Sequence, residues 1–232
     1  MVPVRDYSNW NERKTDGIEK REPKNKIYII AEGAETERNY LRGFVDNYAK
    51  EFPNSITETI FLEKIGNDKG ISNPKELIKL AEDQKEKHFY CEETDKMIIV
   101  FDADIYKDKE DDYKAILELG KKNGDILAIT YPSFELFLLL HLEDGISVIR
   151  KYEEEILENK TKTKNKTFIY KLCNSKFGFD VKSKKSKVKA ISNNLSTAIK
   201  NEKLINNDIY NCIGKLTSNV AQVLDSIIKE NK

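Results

Sequence analysis

Only two histidines and three cysteines occur in the 232 residues, and that scarcity removes whole classes of chemistry. His88 and His141 are too few for a histidine-built zinc centre and leave a Ser-His-Asp triad little to draw on. Cys91, Cys173 and Cys212 are odd in number, far apart and without a Cys-x-x-Cys pair. Neither a disulfide framework nor zinc-site spacing is present, and reduced buried thiols are the plain expectation. Long apolar runs are missing too. Runs such as Met97–Phe101 and Phe137–Leu140 stop far short of the ~20 residues a membrane span needs, and the polar N-terminal stretch has no signal-peptide apolar core. No Gly-x-x-x-x-Gly-Lys-Ser/Thr loop occurs, so a P-loop ATPase is excluded. A cytoplasmic protein with no membrane partner is expected, and any catalytic metal would be held mostly by carboxylates.

Net charge is also absent: 40 basic side chains balance 40 acidic ones. The distribution, however, is uneven. Twelve lysines stand against the single acid Asp180 between Lys160 and Lys200, whereas eleven acids stand against six lysines between Cys91 and Asp125. Nucleic-acid binding depends on the local field, so the basic stretch is a candidate footprint despite the neutral total. A solvated lysine-rich surface is the plainer alternative.

What is present is an alternating pattern. Residues 1–24 mix charges with Asn, Gly and Pro without an apolar period, which predicts a disordered tail. Lys26–Ala31 reads as a buried strand, and Thr36–Phe52 carries Tyr40, Leu41, Phe44, Val45 and Tyr48 at helical spacing. Ile56–Ile65 alternates as a second strand, and a helix begins near Pro74. Lys96–Phe101 is the strongest strand signal, followed by a helix over Tyr113–Leu119 and a fourth strand over Asp125–Thr130. Four strands with helical crossovers predict a mostly parallel α/β sheet flanked by helices on both faces. Pro132 introduces an apolar helix over Phe134–Leu142, and everything after about Gly145 reads as helices joined by lysine-rich loops, the last over Thr217–Glu230. The chain therefore divides into a tail (1–24), an α/β catalytic unit (25–145) and a helical basic region (146–232).

In open parallel sheets the working site lies beyond the carboxyl ends of the strands, and here those ends are acidic. The first strand runs into Glu32-Gly33, the third into Asp102-Ala103-Asp104, and the fourth is followed by Ser133-Phe134-Glu135. Carboxylates gathered in a cleft repel one another unless a cation neutralises them, so Glu32, Asp102, Asp104 and Glu135 are candidate ligands of Mg²⁺ or Mn²⁺. Gly33 permits a sharp turn and leaves room for a phosphate near the next helix start. Glu35 and Glu37 are also read as acids complementing that helix dipole. Lys184, Lys185, Lys187 and Lys189 are candidate phosphate contacts. Tyr170, Phe177 and Phe179 interleave with them as stacking platforms or core residues. His141 reads as a satisfied helix residue.

These residues resemble known patterns. Glu32-Gly33 with a later Asp102-x-Asp104 is similar to the Toprim pattern of topoisomerases, primases and OLD-type nucleases. Glu32-Gly33-Ala34-Glu35-Thr36-Glu37-Arg38-Asn39-Tyr40, the strand into Asp102-x-Asp104, and the block Tyr131–His141 together resemble the RloB-like group of bacterial defence proteins. Tyr131 stands where that group usually has Asn, Phe137 where it has Trp, and Leu216-Thr217-Ser218-Asn219 is a loose relative of its C-terminal segment. The resemblance implies a Toprim-like Rossmannoid sheet and a metal-dependent nuclease acting on DNA or RNA, tRNA among them. It also implies a role in antiviral defence by abortive infection beside an ATPase partner. The residues alone equally suit a non-catalytic nucleic-acid- or nucleotide-binding subunit of an ATPase, or a nucleotidyl-transfer enzyme using the same acids.

Overall fold

The computed structural model describes residues 25–161 and 166–230, so the expected tail lies outside the described residues. Strand β1 (Asn25–Ala31) leads into helix α1 (Thr36–Glu51), then β2 (Thr57–Phe61), α2 (Pro74–Lys87), β3 (Lys96–Asp102), α3 (Glu110–Lys122) and β4 (Ile126–Tyr131). These four strands pair in parallel, in the spatial order β2-β1-β3-β4. The β-branched runs create the strands because both faces are covered. Ile27 and Ile29 pack on one side with α1 through Leu41, Phe44 and Tyr48, whereas Tyr28, Ile30, Ile99 and Phe101 pack on the other with Leu77, Ile78, Ile116 and Leu117 of α2 and α3.

The chain continues through α4 (Phe134–Leu139), α5 (Gly145–Lys151), α6 (Glu153–Glu158), α7 (Phe168–Phe177), α8 (Lys185–Ile191) and α9 (Leu195–Glu202), all within the first layer. The predicted α4 extends to Leu142, but the helix ends at Leu139 in a tight turn whose amides bond three residues back.

The predicted last helix needs a larger correction. Thr217–Ser218 forms a strand, β5, antiparallel to β4, and only Val220–Lys229 is the helix α10. Asn219 extends the pairing with its side chain, accepting from Ile129 N (2.6 Å) and donating to Leu127 O (2.9 Å). The buried Glu202 clamps the same corner, accepting from Ser218 Oγ (2.6 Å), Ala221 N (2.9 Å) and Gln222 N (2.7 Å). The helical region thus returns to the sheet and closes the edge next to the strand that leads to Glu135. Among the described residues no helix is long and apolar enough to cross a membrane.

Candidate active site

The order β1-β3-β4 makes the three acidic strand ends neighbours. Glu32 N donates to Val100 O (2.9 Å), continuing the β1–β3 ladder by one residue, and Ala103 N donates to Thr130 O (2.8 Å), continuing β3–β4. Because the strands are parallel and in register, Glu32, Asp102 and Glu135 emerge at the same end of the sheet. Protein donors hold each of these carboxylates. Glu32 Oε2 accepts from Asp102 N (3.3 Å), Asp102 Oδ1 from the Thr130 hydroxyl, and Glu135 Oε2 from Ser133 Oγ (2.7 Å). Asp104 opens a one-turn 3-10 helix, Asp104–Tyr106, just beyond β3.

A fifth acid joins them. Glu37, in the first turn of α1, raises the pKa of both Glu32 and Asp102 by its charge and is itself raised by Glu135. Desolvation is the larger cause at four of them: it pushes Glu32 and Glu37 up to about 7, lifts Asp102 well above the carboxylate range, and raises Asp104. Repulsion from neighbouring acids adds to each. This mutual dependence shows that five side chains from β1, α1, β3 and α4 share one electrostatic site.

Gly33 also makes room for a neighbouring side chain. Its backbone does not take the left-handed conformation, but a Cβ there would overlap the Glu37 carboxylate. Glycine therefore lets Glu37 fold over the loop into the acid group.

Two cations lie at the flanks. Lys64, just after β2, donates to the backbone carbonyls of Glu32 and Ile71 (2.8 Å to the latter), and its charge opposes the rise at Glu32 and Glu37. Lys182, in the turn before α8, also acts on Glu37 and sits 5.0 Å from the centre of the Tyr170 ring. Lys64 does not stand out in the sequence, and Lys182, though it begins the run Lys182-Ser183-Lys184-Lys185, is not among the lysines singled out there.

The lysines chosen from the sequence divide. Helix α8 runs beside α1 in the same direction: Lys182 is in electrostatic reach of Glu37, and seven residues on Lys189 pairs with Asp46 (2.8 Å). Lys184, Lys185 and Lys187 are exposed, the first two at the acid end of this pair of helices. Lys189 is turned onto α1, so it is a packing residue and not an open phosphate contact. The close approach depends on Gly43, where a Cβ would come within 2.7 Å of the Lys189 Cα. The aromatics are not open platforms either. Tyr170 is buried beneath Lys182 and Lys166 and donates to Asp180 (2.7 Å), and Phe179 packs against Phe177 with Lys187 above its ring at 5.2 Å.

His141 is structural, as its sequence context suggests. Its Nδ1–H donates to Phe137 O (3.0 Å), so Nε2 accepts the Tyr40 hydroxyl proton (2.7 Å). Burial lowers its pKa to about 4, and the ring stays neutral. The bond fastens α1 to the turn after α4, joining the Glu32–Tyr40 block to the Tyr131–His141 block.

The RloB-like protein family model matches residues 27–227, a span that contains every acid of the site and both flanking lysines. The chain belongs to the RloB-like family. Neither the curated proteins nor the solved structures contain a match to this RloB-like protein. Its site offers only hard oxygen donors, which is the donor set of Mg²⁺ or Mn²⁺ and not of zinc or copper. Thr36 Oγ1 and Asn39 Nδ2, in the same first turns of α1, are buried without a hydrogen-bond partner. Among the described residues no three His, Cys, Asp or Glu side chains already stand together as a finished metal site. The carboxylates are instead turned onto Thr130, Ser133 and the Asp102 amide.

Proposed function

We propose that this RloB-like protein is a Toprim-like, Mg²⁺- or Mn²⁺-dependent nuclease. The observation that carries the reading is the gathering of Glu32, Glu37, Asp102, Asp104 and Glu135 at the carboxyl ends of adjacent parallel strands, with Lys64 and Lys182 on either flank. So many acids sharing a desolvated site cost the fold stability, a cost that makes sense where a divalent cation completes it. Asp102 and Asp104 would hold the ion, with Glu32 as a third ligand and Glu135 serving a second ion or the outer shell. The bound ion would activate water and stabilise the departing oxygen of a phosphodiester in an in-line displacement.

The chain's own part is positioning and proton transfer. Thr130 and Ser133 orient Asp102 and Glu135. With a pKa raised to about 7, Glu37, which is given no place among the ligands, would be suited to take a proton from the attacking water near neutral pH. Lys64, Lys182 and the exposed lysines at the start of α8 would attract a polyanionic strand. The family resemblance extends the proposal to defence against foreign genetic elements, in company with an ATPase partner.

A regulatory, non-catalytic role has one observation in its favour, that among the described residues no three carboxylates are already converged as a metal site. Cleavage decides between them. Purified protein is incubated with single-stranded and structured RNA and DNA, with Mg²⁺ or Mn²⁺, alone and with the neighbouring ATPase. The nuclease reading requires metal-dependent strand scission that Asp102→Asn and Asp104→Asn abolish. Wild-type protein that binds these nucleic acids but cuts none of them under any of these conditions is the regulatory subunit instead.

A further inference from the structure

A cleft of about 210 Å³ opens beside the acid cluster, between the Gly33–Glu35 turn and the chain leaving β2. Its walls carry three cations, Arg38, Lys64 and Lys69. They also carry two acids, but Glu63 is engaged by Arg42 and by Arg38 (3.9 Å), and Glu35 is exposed at the N-cap of α1 without capping it. The cations therefore outweigh the acids available to pair with them. Two of them have unused donors: Arg38 Nε is buried with no hydrogen-bond partner, and Lys64, bonded to the carbonyls of Glu32 and Ile71, keeps one of its three N–H groups unengaged. Lys64 is half-buried beside this cleft. A desolvated cation with a spare donor gains most from an anion.

We propose that this cleft is a phosphate subsite of the nuclease, in which Lys64, Arg38 and Lys69 hold the backbone phosphate next to the one presented to Glu32, Asp102 and Asp104. The inference rests on the nuclease reading and gives it a direction. Lys64 lies on the β2 side of the acids and Lys182 on the α8 side, so a single strand crosses the carboxyl end of the sheet between them. Lys64 also ties the subsite to the site, because the carbonyl it holds belongs to Glu32.

The test measures binding of a short labelled single-stranded RNA, and separately DNA, by fluorescence anisotropy with metal chelated so that nothing is cut. Lys64→Ala and Lys69→Gln are each expected to weaken binding roughly tenfold and to lower the slope of log affinity against log salt by about 0.7, the counterion release of one single-strand phosphate contact. Lys64→Arg keeps the charge and should keep the binding. Circular dichroism corrects each affinity for the folded fraction, and Lys69, exposed in a turn, supplies a variant with no packing role. If both neutral variants bind with wild-type affinity and slope while wild type cuts nucleic acid with metal, the subsite is wrong and the nuclease stands. Wild-type protein that binds neither RNA nor DNA brings down both.

Discussion

Replacing Glu37 by Gln removes one negative charge from the acid group without changing shape, and its effect on stability has a sign that depends on pH. The folded-state pKa of Glu37 is about 7 against 4.5 for an ordinary glutamate. A raised carboxyl pKa means that the folded state holds the proton longer, so stability is unaffected below the unfolded value and falls as pH rises from about 4.5 to beyond 7. The full shift corresponds to about 3 kcal/mol, and discounted for partial contact with water it is on the order of 2. Against this, an acid in the first turn of a helix contributes roughly 0.3–1 kcal/mol through the dipole, which Gln forfeits. Removing a desolvated charge, with repulsion from Glu135 as the smaller part, wins by about 1–1.5 kcal/mol at pH 8, or roughly 2–6 °C in melting temperature for a domain of this size. Near pH 4.5 the two proteins should melt within about 1–2 °C of each other, because Glu37 is then protonated in the fold. Added Mg²⁺ or Mn²⁺ should raise the wild-type melting temperature at pH 8 more than that of Glu37→Gln. The assay is thermal melting at both pH values, with and without metal. A variant that melts lower than wild type at pH 8, or a gap that does not change with pH, would refute the claim that Glu37 carries a desolvated, destabilising charge in the acid group.

Three further outcomes follow from the packing. Replacing Lys184, Lys185 and Lys187 together by Ala should lower the salt slope of single-strand binding by about 2, whereas Lys189→Ala, whose partner is Asp46, should leave it unchanged; anisotropy titrations at several salt concentrations decide. Asn219→Ala strips partners from Ile129 N and Leu127 O and should cost about 1–3 kcal/mol in chemical denaturation, and a smaller loss would show that water replaces it without penalty. Tyr40→Phe leaves the buried Nε2 of His141 unpaired and should cost a similar ~1–3 kcal/mol while the folded protein retains metal-dependent cleavage; lost cleavage at unchanged stability would place that pair in the chemistry.

The parallel sheet was legible because each strand is a short β-branched run between helical stripes, and its acidic ends were legible because parallel strands bring sequence-distant carboxyl termini to one edge. Glu32, Asp102, Asp104 and Glu135 could be read as a group on that rule alone. Glu37 could not, since an acid in a first helical turn looks like dipole complement, and only the fold-back over Gly33 makes it a member. Lys64 carries no local pattern, and Lys182 is only one of a run of lysines; their role comes from where β2 ends and where the turn before α8 lies. Lys189 was misassigned because closeness in sequence does not say which side of a helix faces a neighbour. Strand β5 escaped because two residues have no period, and its pairing is completed by an asparagine side chain.

That short strand also fixes an order of events during synthesis. The outer edge of β4 offers unpaired backbone groups until residues 217–219 arrive to cover it, and α10 follows directly behind. The strand leading to Glu135 is thus the last part of the sheet to be secured, after nearly all of the described chain has left the ribosome. An interrupted translation product would carry Glu32, Asp102, Asp104 and Glu135 on a sheet with one ragged side, prone to pair with other chains. This topology delays a sound fold until residues 217–219 are in place.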